Sequence, residues 1–478
     1  MSVTPATGSS SGYGSGRAAM LALKNMRVPA KGATPVSADE LQRQSGEHVH
    51  SIMTACLSSC SLGTGIGYAS IAVHQIRSEG YFTAETYLFT SLLPLLAICG
   101  ALASWVLLNT LGSRRTLIVI SFGFIASWMA IMIATQNITL YVGRVVGGFC
   151  SGVVSVCVPL YVTEISPARR RIFLGSSVQI ATSLGVLIPF MVSPAMHWRW
   201  IAGVCMLPAI IMLSFTSSLV ESPQWLLDKG LRAEADKSLL TLYGPEFLAE
   251  FDYRCMQPPV EPEQKSNAPA VTAPRKVAIC LALYMLQVAT CADLVLFYTV
   301  QIIGASPDVP LDLCCVIVAV LHFSATFFAV VLTVDIGRGR MLVMSAAIIA
   351  VGTITFGILS HLRYGFEGKT TDEKGGWSTF FAVCCIVLGH SVGLGHIPWL
   401  LMGELMPLKF RYIGSAVTVA FRWAICAALV QYNWSILGLL EYQGTFWAYG
   451  LAVLLASALL FLWIPETDNR SLAVIDAS

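Results

Sequence analysis

From residue 51 onward the chain is a succession of apolar runs of about 20 residues, the length an α-helix needs to cross the hydrocarbon core of a bilayer. About twelve such runs can be placed, near 51–73, 86–108, 116–135, 138–163, 172–193, 198–217, 276–303, 311–334, 341–361, 377–404, 412–435 and 444–464. With 55% of 478 residues hydrophobic, 12% charged and a mean hydropathy of +0.70, the chain carries more apolar surface than a water-soluble fold of this size could hide. Inside hydrocarbon each backbone N–H and C=O needs an internal partner, so runs of this length are expected as helices. The expected class is an all-α membrane protein whose first partner is the lipid bilayer.

The remaining composition mostly excludes. A formal charge of +2 is too small to suggest a nucleic-acid partner. Thirteen of the 14 cysteines fall in apolar runs and Cys255 in a loop, with no secreted disulfide framework and no His or carboxylate at metal-ligand spacing. No nucleophile with a base is present at workable spacing, so an enzyme is not expected, and neither a cofactor nor an obligate protein partner is evident. Residues 1–50, rich in Ser, Gly and Ala, read as a disordered tail without the apolar core of a signal peptide. The run GSSSGYGSG lacks the strand and helix of a nucleotide loop.

One long hydrophilic segment, Glu221 to Lys276, divides the crossings into six plus six. The expected organisation is a tail (1–50), a first half (51–217), a linker with short helices (218–275), a second half (276–464) and a closing tail (465–478). Basic residues gather in alternate loops: Arg114 with Arg115, Arg169 to Arg171, Arg338 with Arg340, and Lys409 with Arg411. By the positive-inside rule these loops and both termini are cytoplasmic, and a plasma-membrane location is expected. Sequons at Asn137 and Asn433 sit tight against helix ends, where a glycan has little room.

The halves repeat each other. PLYVTEISPARRR (159–171) and LLMGELMPLKFR (400–411) each carry a glutamate, a proline three residues later and an arginine seven later: Glu164, Pro167, Arg171 and Glu404, Pro407, Arg411. Two such copies at matching places point to a transporter-like duplication. Further landmarks follow in order: Asn109-Thr-Leu-Gly112-Ser-Arg114, Gly143-Arg144, Pro159-Leu-Tyr161, Glu221-Ser-Pro223-Gln-Trp225-Leu, Asp335-Ile-Gly-Arg338-Gly-Arg340 and Pro465-Glu466-Thr467. Together they resemble the sugar porter family of the major facilitator superfamily from residue 55 to 470. Gly65-Ile-Gly67-Tyr68-Ala-Ser70, Trp198-Arg199 and the short carboxyl tail are closest in character to arthropod facilitated trehalose and hexose transporters.

The resemblance implies the major facilitator fold and transport of a sugar or polyol by alternating access. Its sugar-contacting positions fall on Gln179 and Thr182 in the fifth crossing, Gln287 in the seventh, Trp399 in the tenth and Trp423 in the eleventh. Amides pair with hydroxyls as donor and acceptor, and indoles cover the apolar face of a sugar ring. Trp434 and Trp463 read instead as interface anchors. Departures from the family pattern are Val288, Asp293, Arg422, His396 and, approximately, Phe323 with His322 and Ser324 beside it. His390 and His396 read as packing or hydrogen-bonding residues. The acid that proton-coupled members carry in the first crossing is Gly65 here, which favours facilitated diffusion; Asp293 keeps a proton-coupled symporter open, and a non-transporting sensor is the rival from another class.

Two charge arrangements are expected. Arg114, Arg171, Arg338, Arg340 and Arg411 can bridge Glu164, Glu221, Glu404 and Glu466 beneath the helices as a conformational latch, with Glu164 and Glu404 approaching the Arg114 and Arg340 loops. The alternative is that these arginines only set topology. Asp293, 17 residues past Lys276, and Arg422, 11 past Arg411, both reach deep into the membrane, where pairing is expected because a lone charge at a helix centre costs about 2.5–3.5 kcal/mol.

Overall fold

The computed structural model describes residues 47–80, 86–167, 170–243, 273–304, 310–364 and 376–461. Both expected tails beyond these bounds, the Pro-rich part of the linker, Trp463 and Glu466 lie outside the described residues, as does the side chain of Trp434. Twelve crossings follow one another. The first is Glu47–Ser78; the second and third form Thr86–Met132, turning at Gly112; the fourth is Asn137–Ile165 and the fifth Arg171–Val192. The sixth is Trp198–Cys205 with Leu207–Ser214. Two short helices, Pro223–Asp228 and Arg232–Tyr243, then run along the face that carries the Glu-x-x-Pro repeats. The seventh crossing is in three pieces (Ala273–Ala289, Ala292–Phe297, Thr299–Gly304), the eighth is Leu311–Ile336 and the ninth Arg338–Tyr364. The tenth is Gly376–Gly389, a π turn at His390–Leu394, and Ile397–Leu405; the eleventh and twelfth share Arg411–Phe461, which breaks at Glu441. No strand occurs among the described residues.

Among the described residues, eight helical spans are long and apolar enough to cross a membrane. Their outward faces carry Phe122, Ile133, Phe328, Val351 and Leu439, each more than half exposed. An apolar belt of that kind would aggregate in water, and a bilayer covers it. At the closest crossings the inward faces carry glycine, which lets helices approach closely where no hydrophobic force drives them together.

Two glycine sites show how tightly. Where the first and fifth crossings meet, a Cβ on Gly63 would lie 2.0 Å from the carbonyl oxygen of Thr182, and one on Gly185 would lie 2.0 Å from that of Cys60. At the turn between the second and third crossings, Gly112 has φ of 81°, and the space its Cβ would take is filled by the Glu221 carboxylate at 2.7 Å. Glu221 Oε1 accepts the backbone N–H of Ser113 (2.8 Å), Arg114 (3.2 Å) and Ser222 (3.2 Å). Burial pushes its carboxyl up from the usual carboxylate range, opposed by these three N–H groups. The glutamate thus clamps the turn through the backbone, with no bond to a guanidinium.

The halves meet where the first crossing packs on the seventh, the second and fourth on the eleventh, the fourth and fifth on the tenth, and the fifth on the eighth. Overpacking is expected to be costly at the glycine crossing. Gly185→Val should lower stability by about 1–3 kcal/mol or more, whereas Gly230→Ala, with φ of 75° but no atom within 4 Å, should cost only about 1 kcal/mol of backbone strain; thermal unfolding in detergent measures both.

Candidate functional site

The site is built on two broken helices. The seventh crossing stops at Ala289, passes Cys291 in the left-handed region (φ 54°) and restarts at Ala292, so Asp293 stands in the first turn of a new helical piece. A non-glycine residue held there stores strain, and such residues gather at functional sites. Opposite it, the π turn of the tenth crossing and Pro398 leave carbonyls without helical partners. Gln287 Nε2 takes two of them, Leu394 O at 2.8 Å and Gly395 O at 3.1 Å. Its Oε1 accepts from Arg422 Nε at 2.9 Å, and Arg422 Nη2 donates to Asp293 Oδ2 at 2.6 Å. One chain of bonds therefore runs from the break in the tenth crossing through the seventh to the eleventh and back.

The Arg422 guanidinium lies between two indoles, 5.0 Å from the Trp399 ring and 4.7 Å from the Trp423 ring. Cation–π contact of this kind adds to the carboxylate in holding a buried charge. Tyr284 packs edge-on to Trp399 at 5.1 Å, and Trp423 Nε1 donates to Ser155 Oγ of the fourth crossing at 3.0 Å. The sequence-expected residues Gln179, Thr182, Gln287, Asp293, Trp399, Arg422 and Trp423 all line one cavity of about 50 Å³ between the halves. At 10–15 Å³ per water-sized sphere it has room for about four waters, less than a hexose occupies. Gln287 has all its amide groups engaged by protein, which leaves Gln179 as the amide facing the cavity without a protein partner.

Among the lining residues that the sequence did not place at the site are Ser155, His322 and His390. Ser155 carries no motif. His322, rather than the neighbouring Phe323, is the cavity residue of the eighth crossing, and it bonds Ser391 Oγ at 2.9 Å. His390 reaches the same space, its ring centroid 6.2 Å from that of His322. The period of a helix could have put His322 on the inward face. The π turn that aims His390 has no sequence signal of its own. His396 turns away and bonds Thr333 Oγ1 through Nε2 at 2.9 Å.

The cavity is closed on both sides. Away from the repeats, Ser70 Oγ accepts Val300 N–H at 3.0 Å and Ser91 Oγ donates to Gln431 Oε1 at 2.5 Å, each linking the halves. On the repeat-bearing face, Arg411 Nε lies 3.6 Å from Glu164 Oε1, so the arginine of the second repeat meets the glutamate of the first. Arg171 is buried within electrostatic reach of Glu404, the reciprocal arrangement. Glu404 is also held by both Arg338 nitrogens, at 2.6 and 3.1 Å, and Glu164 Oε2 accepts from Ser222 Oγ at 2.5 Å. Glu404 is met by the loop of Arg338 and Arg340, and Glu164 by Arg411 rather than by the Arg114 loop. Arg114 and Arg340 are exposed; Arg114 reaches Thr216 O, and Arg338 is the cation of its loop that meets Glu404. The pseudo-twofold arrangement of the halves brings each repeat against the other.

The two ion pairs generate separate expectations. Asp293→Asn or Arg422→Gln alone leaves one buried charge without its partner and should cost about 3–5 kcal/mol, while the double change should recover most of that loss; thermal unfolding of the four proteins gives the coupling energy, and additive losses would show independent charges. On the repeat-bearing face, Glu164→Gln should weaken the contact between halves. Thr163, which lies against Gly403, is then the reporter: thiol labelling of Thr163→Cys should rise several-fold in the Glu164→Gln background.

Comparison with known proteins places the architecture. The chain is 29% identical over 440 residues to the facilitated trehalose transporter Tret1 of Apis mellifera ligustica, covering 89% of this chain and 86% of that protein. It is 28% identical over 393 residues to Tret1 of Polypedilum vanderplanki, covering 80% and 77%. Among solved structures, the major facilitator superfamily proton:xylose symporter XylE bound to 6-bromo-6-deoxy-D-glucose superposes with a TM-score of 0.77 at 20% identity, over 91% of this chain and 99% of that one. The human organic anion transporter MFSD10 superposes with a TM-score of 0.53 at 16% identity, over 86% and 99%. These likenesses show the major facilitator fold. The profile of the family described as sugar (and other) transporter matches residues 36–478, and the chain belongs to that family.

Proposed function

We propose that the protein moves a neutral sugar, a hexose or a trehalose-like disaccharide, or a related polyol across the plasma membrane by facilitated diffusion, its halves alternating access to the central cavity. The observation that carries this reading is the internally neutralised Arg422–Asp293 pair between two indoles. It leaves Arg422 Nη1–H as a buried donor without a protein partner and the second Asp293 oxygen as an acceptor. A donor and an acceptor side by side match a pair of sugar hydroxyls as an amide would, and the net charge of the pair gives no preference for an ionic solute. Curated relatives named as facilitated trehalose transporters support the same class.

The repeat-bearing face is cytoplasmic in this proposal, because the basic loops lie there. Solute enters from the opposite face once the Ser70–Val300 and Ser91–Gln431 contacts part. It leaves once the Glu164–Arg411 and Glu404–Arg171 contacts part. Gln179, Thr182, Gln287, Trp399 and Trp423 contact the solute or the groups that orient it, and no covalent chemistry takes place. Asp293 in the cavity carries a second reading, a symporter in which that carboxylate takes a proton.

Uptake into reconstituted vesicles separates these. The expected result is saturable uptake of at least one neutral sugar or polyol that equilibrates to the same level with and without a pH gradient. Trp399→Ala should reduce uptake by about tenfold, equivalent to about 1.4 kcal/mol of ring contact, with little change in thermal stability. Accumulation above the external concentration under a pH gradient would assign the symporter, and saturable uptake of organic anions with none of sugars would overturn the solute class.

A further inference from the structure

A second buried arginine lies in the first half, away from the central cavity. Arg144 of the fourth crossing is 2% exposed, and the sequence holds no Asp or Glu between Glu85 and Glu164, nor any from Arg171 to Ser218. Its guanidinium stands over the Phe89 ring at 4.4 Å and near the Tyr68 ring at 5.7 Å, and Nη1 donates to Gly65 O at 2.9 Å. Arg144 Nε and Nη2 have no protein partner. The indole N–H of Trp128, itself 3% exposed, has none either.

Both side chains line one small cavity of about 10 Å³, together with Gly65, Ser61, Ser127 and Ser151. The hydroxyl hydrogens of the three serines are committed to helix carbonyls, Leu57 O at 3.2 Å, Gly143 O at 2.7 Å and Gly147 O at 2.8 Å. Three donor nitrogens around this cavity, Arg144 Nε and Nη2 and Trp128 Nε1, therefore lack a protein partner beside one whole positive charge, and the serines present only oxygen lone pairs. A volume of that size takes a single particle about as large as a water molecule. Water could accept two of the three hydrogen bonds but would leave the charge uncompensated in a low-dielectric site, where an unpaired ion is very costly. A halide ion is larger than water, so its entry needs the cavity walls to give by a few tenths of an ångström, but it can accept from all three nitrogens and cancels the charge.

We propose that the Arg144–Trp128 cavity is a structural binding site for a small monovalent anion, chloride under ordinary conditions, which neutralises the first half as Asp293 neutralises Arg422 in the second. The site fixes the first crossing to the fourth through Gly65 and binds no transported solute. A carboxylate introduced at Gly65 would replace the anion, since a Cβ there meets only the flexible end of Leu93.

The test uses the purified full chain in sodium chloride, sodium bromide and sodium gluconate at matched ionic strength. Chloride and bromide are expected to raise the unfolding midpoint by several degrees over gluconate, saturably, as a ligand that binds only the folded state does. Trp128→Phe, which keeps the ring stack and removes one donor, should weaken the halide dependence about tenfold, and Gly65→Asp should abolish it while retaining the halide-bound stability. Anomalous scattering from bromide should give a peak beside Arg144. Equal midpoints in all three salts, bromide density absent at Arg144, or a halide response unchanged in Trp128→Phe would each overturn the proposal and leave a water-filled cavity.

Discussion

The Arg422 guanidinium carries a full positive charge into the middle of a membrane protein, and the seventh, tenth and eleventh crossings are shaped around neutralising it. Asp293 supplies the counter-charge, but only because the seventh helix breaks at Cys291 and presents Asp293 at the start of a new turn. The tenth helix breaks opposite, and Gln287 joins the break to the arginine. Irregular backbone inside a bilayer is tolerated where protein or a water-lined cavity satisfies the freed groups. Here Gln287 and Arg422 link the two breaks to the ion pair in one chain of hydrogen bonds.

The same requirement governs the repeat-bearing face. Glu164, Glu404, Arg171 and Arg411 are all buried, which makes each of them expensive if its partner leaves. Each is paired or faced across the boundary between halves, and Ser222 and Arg338 hold the two glutamates from within their own halves. Opening that face exchanges an ion pair for hydration, a trade that stays small in free energy only if water enters as the halves part. The arrangement suits contacts that form and break repeatedly. Glu221 behaves differently: it clamps a loop through backbone N–H groups and is tied to the fold of one half.

Much of the site could be read before any coordinates. Gln179, Thr182, Gln287, Trp399, Trp423, Asp293 and Arg422 line one cavity, and all seven are polar or amphipathic groups whose presence in apolar runs already needs a reason. What the residue types did not reveal is division of labour. Gln287 looked like a direct solute contact, yet its donors and acceptor are spent on Leu394, Gly395 and Arg422, a consequence of a π turn that leaves no mark on composition. Ser155 went unremarked, His322 stood only as a neighbour of Phe323 and His390 as a packing or hydrogen-bonding residue, because serine and histidine are ordinary packing residues until the facing helix is known. The latch arginines 114, 171, 338, 340 and 411 were all legible as a set, but which glutamate each would meet was not, because sequence distance does not report how the two halves face each other.

The sequence by itself determined the class of the protein: run length fixes helices that cross a bilayer, the hydrophilic linker fixes six plus six, and the doubled Glu-x-x-Pro-x-x-x-Arg fixes the internal duplication. It also determined that Asp293 and Arg422 had to find company, since no isolated charge is stable at that depth. Only the tertiary structure decided which charge meets which. The pairing Arg411 with Glu164 depends on how two halves related by a pseudo-twofold axis are set against each other, and the 2.6 Å contact of Arg422 with Asp293 depends on where a helix breaks. Electrostatic energy varies with distances between segments more than a hundred residues apart in sequence, and those distances exist only once the helices have packed.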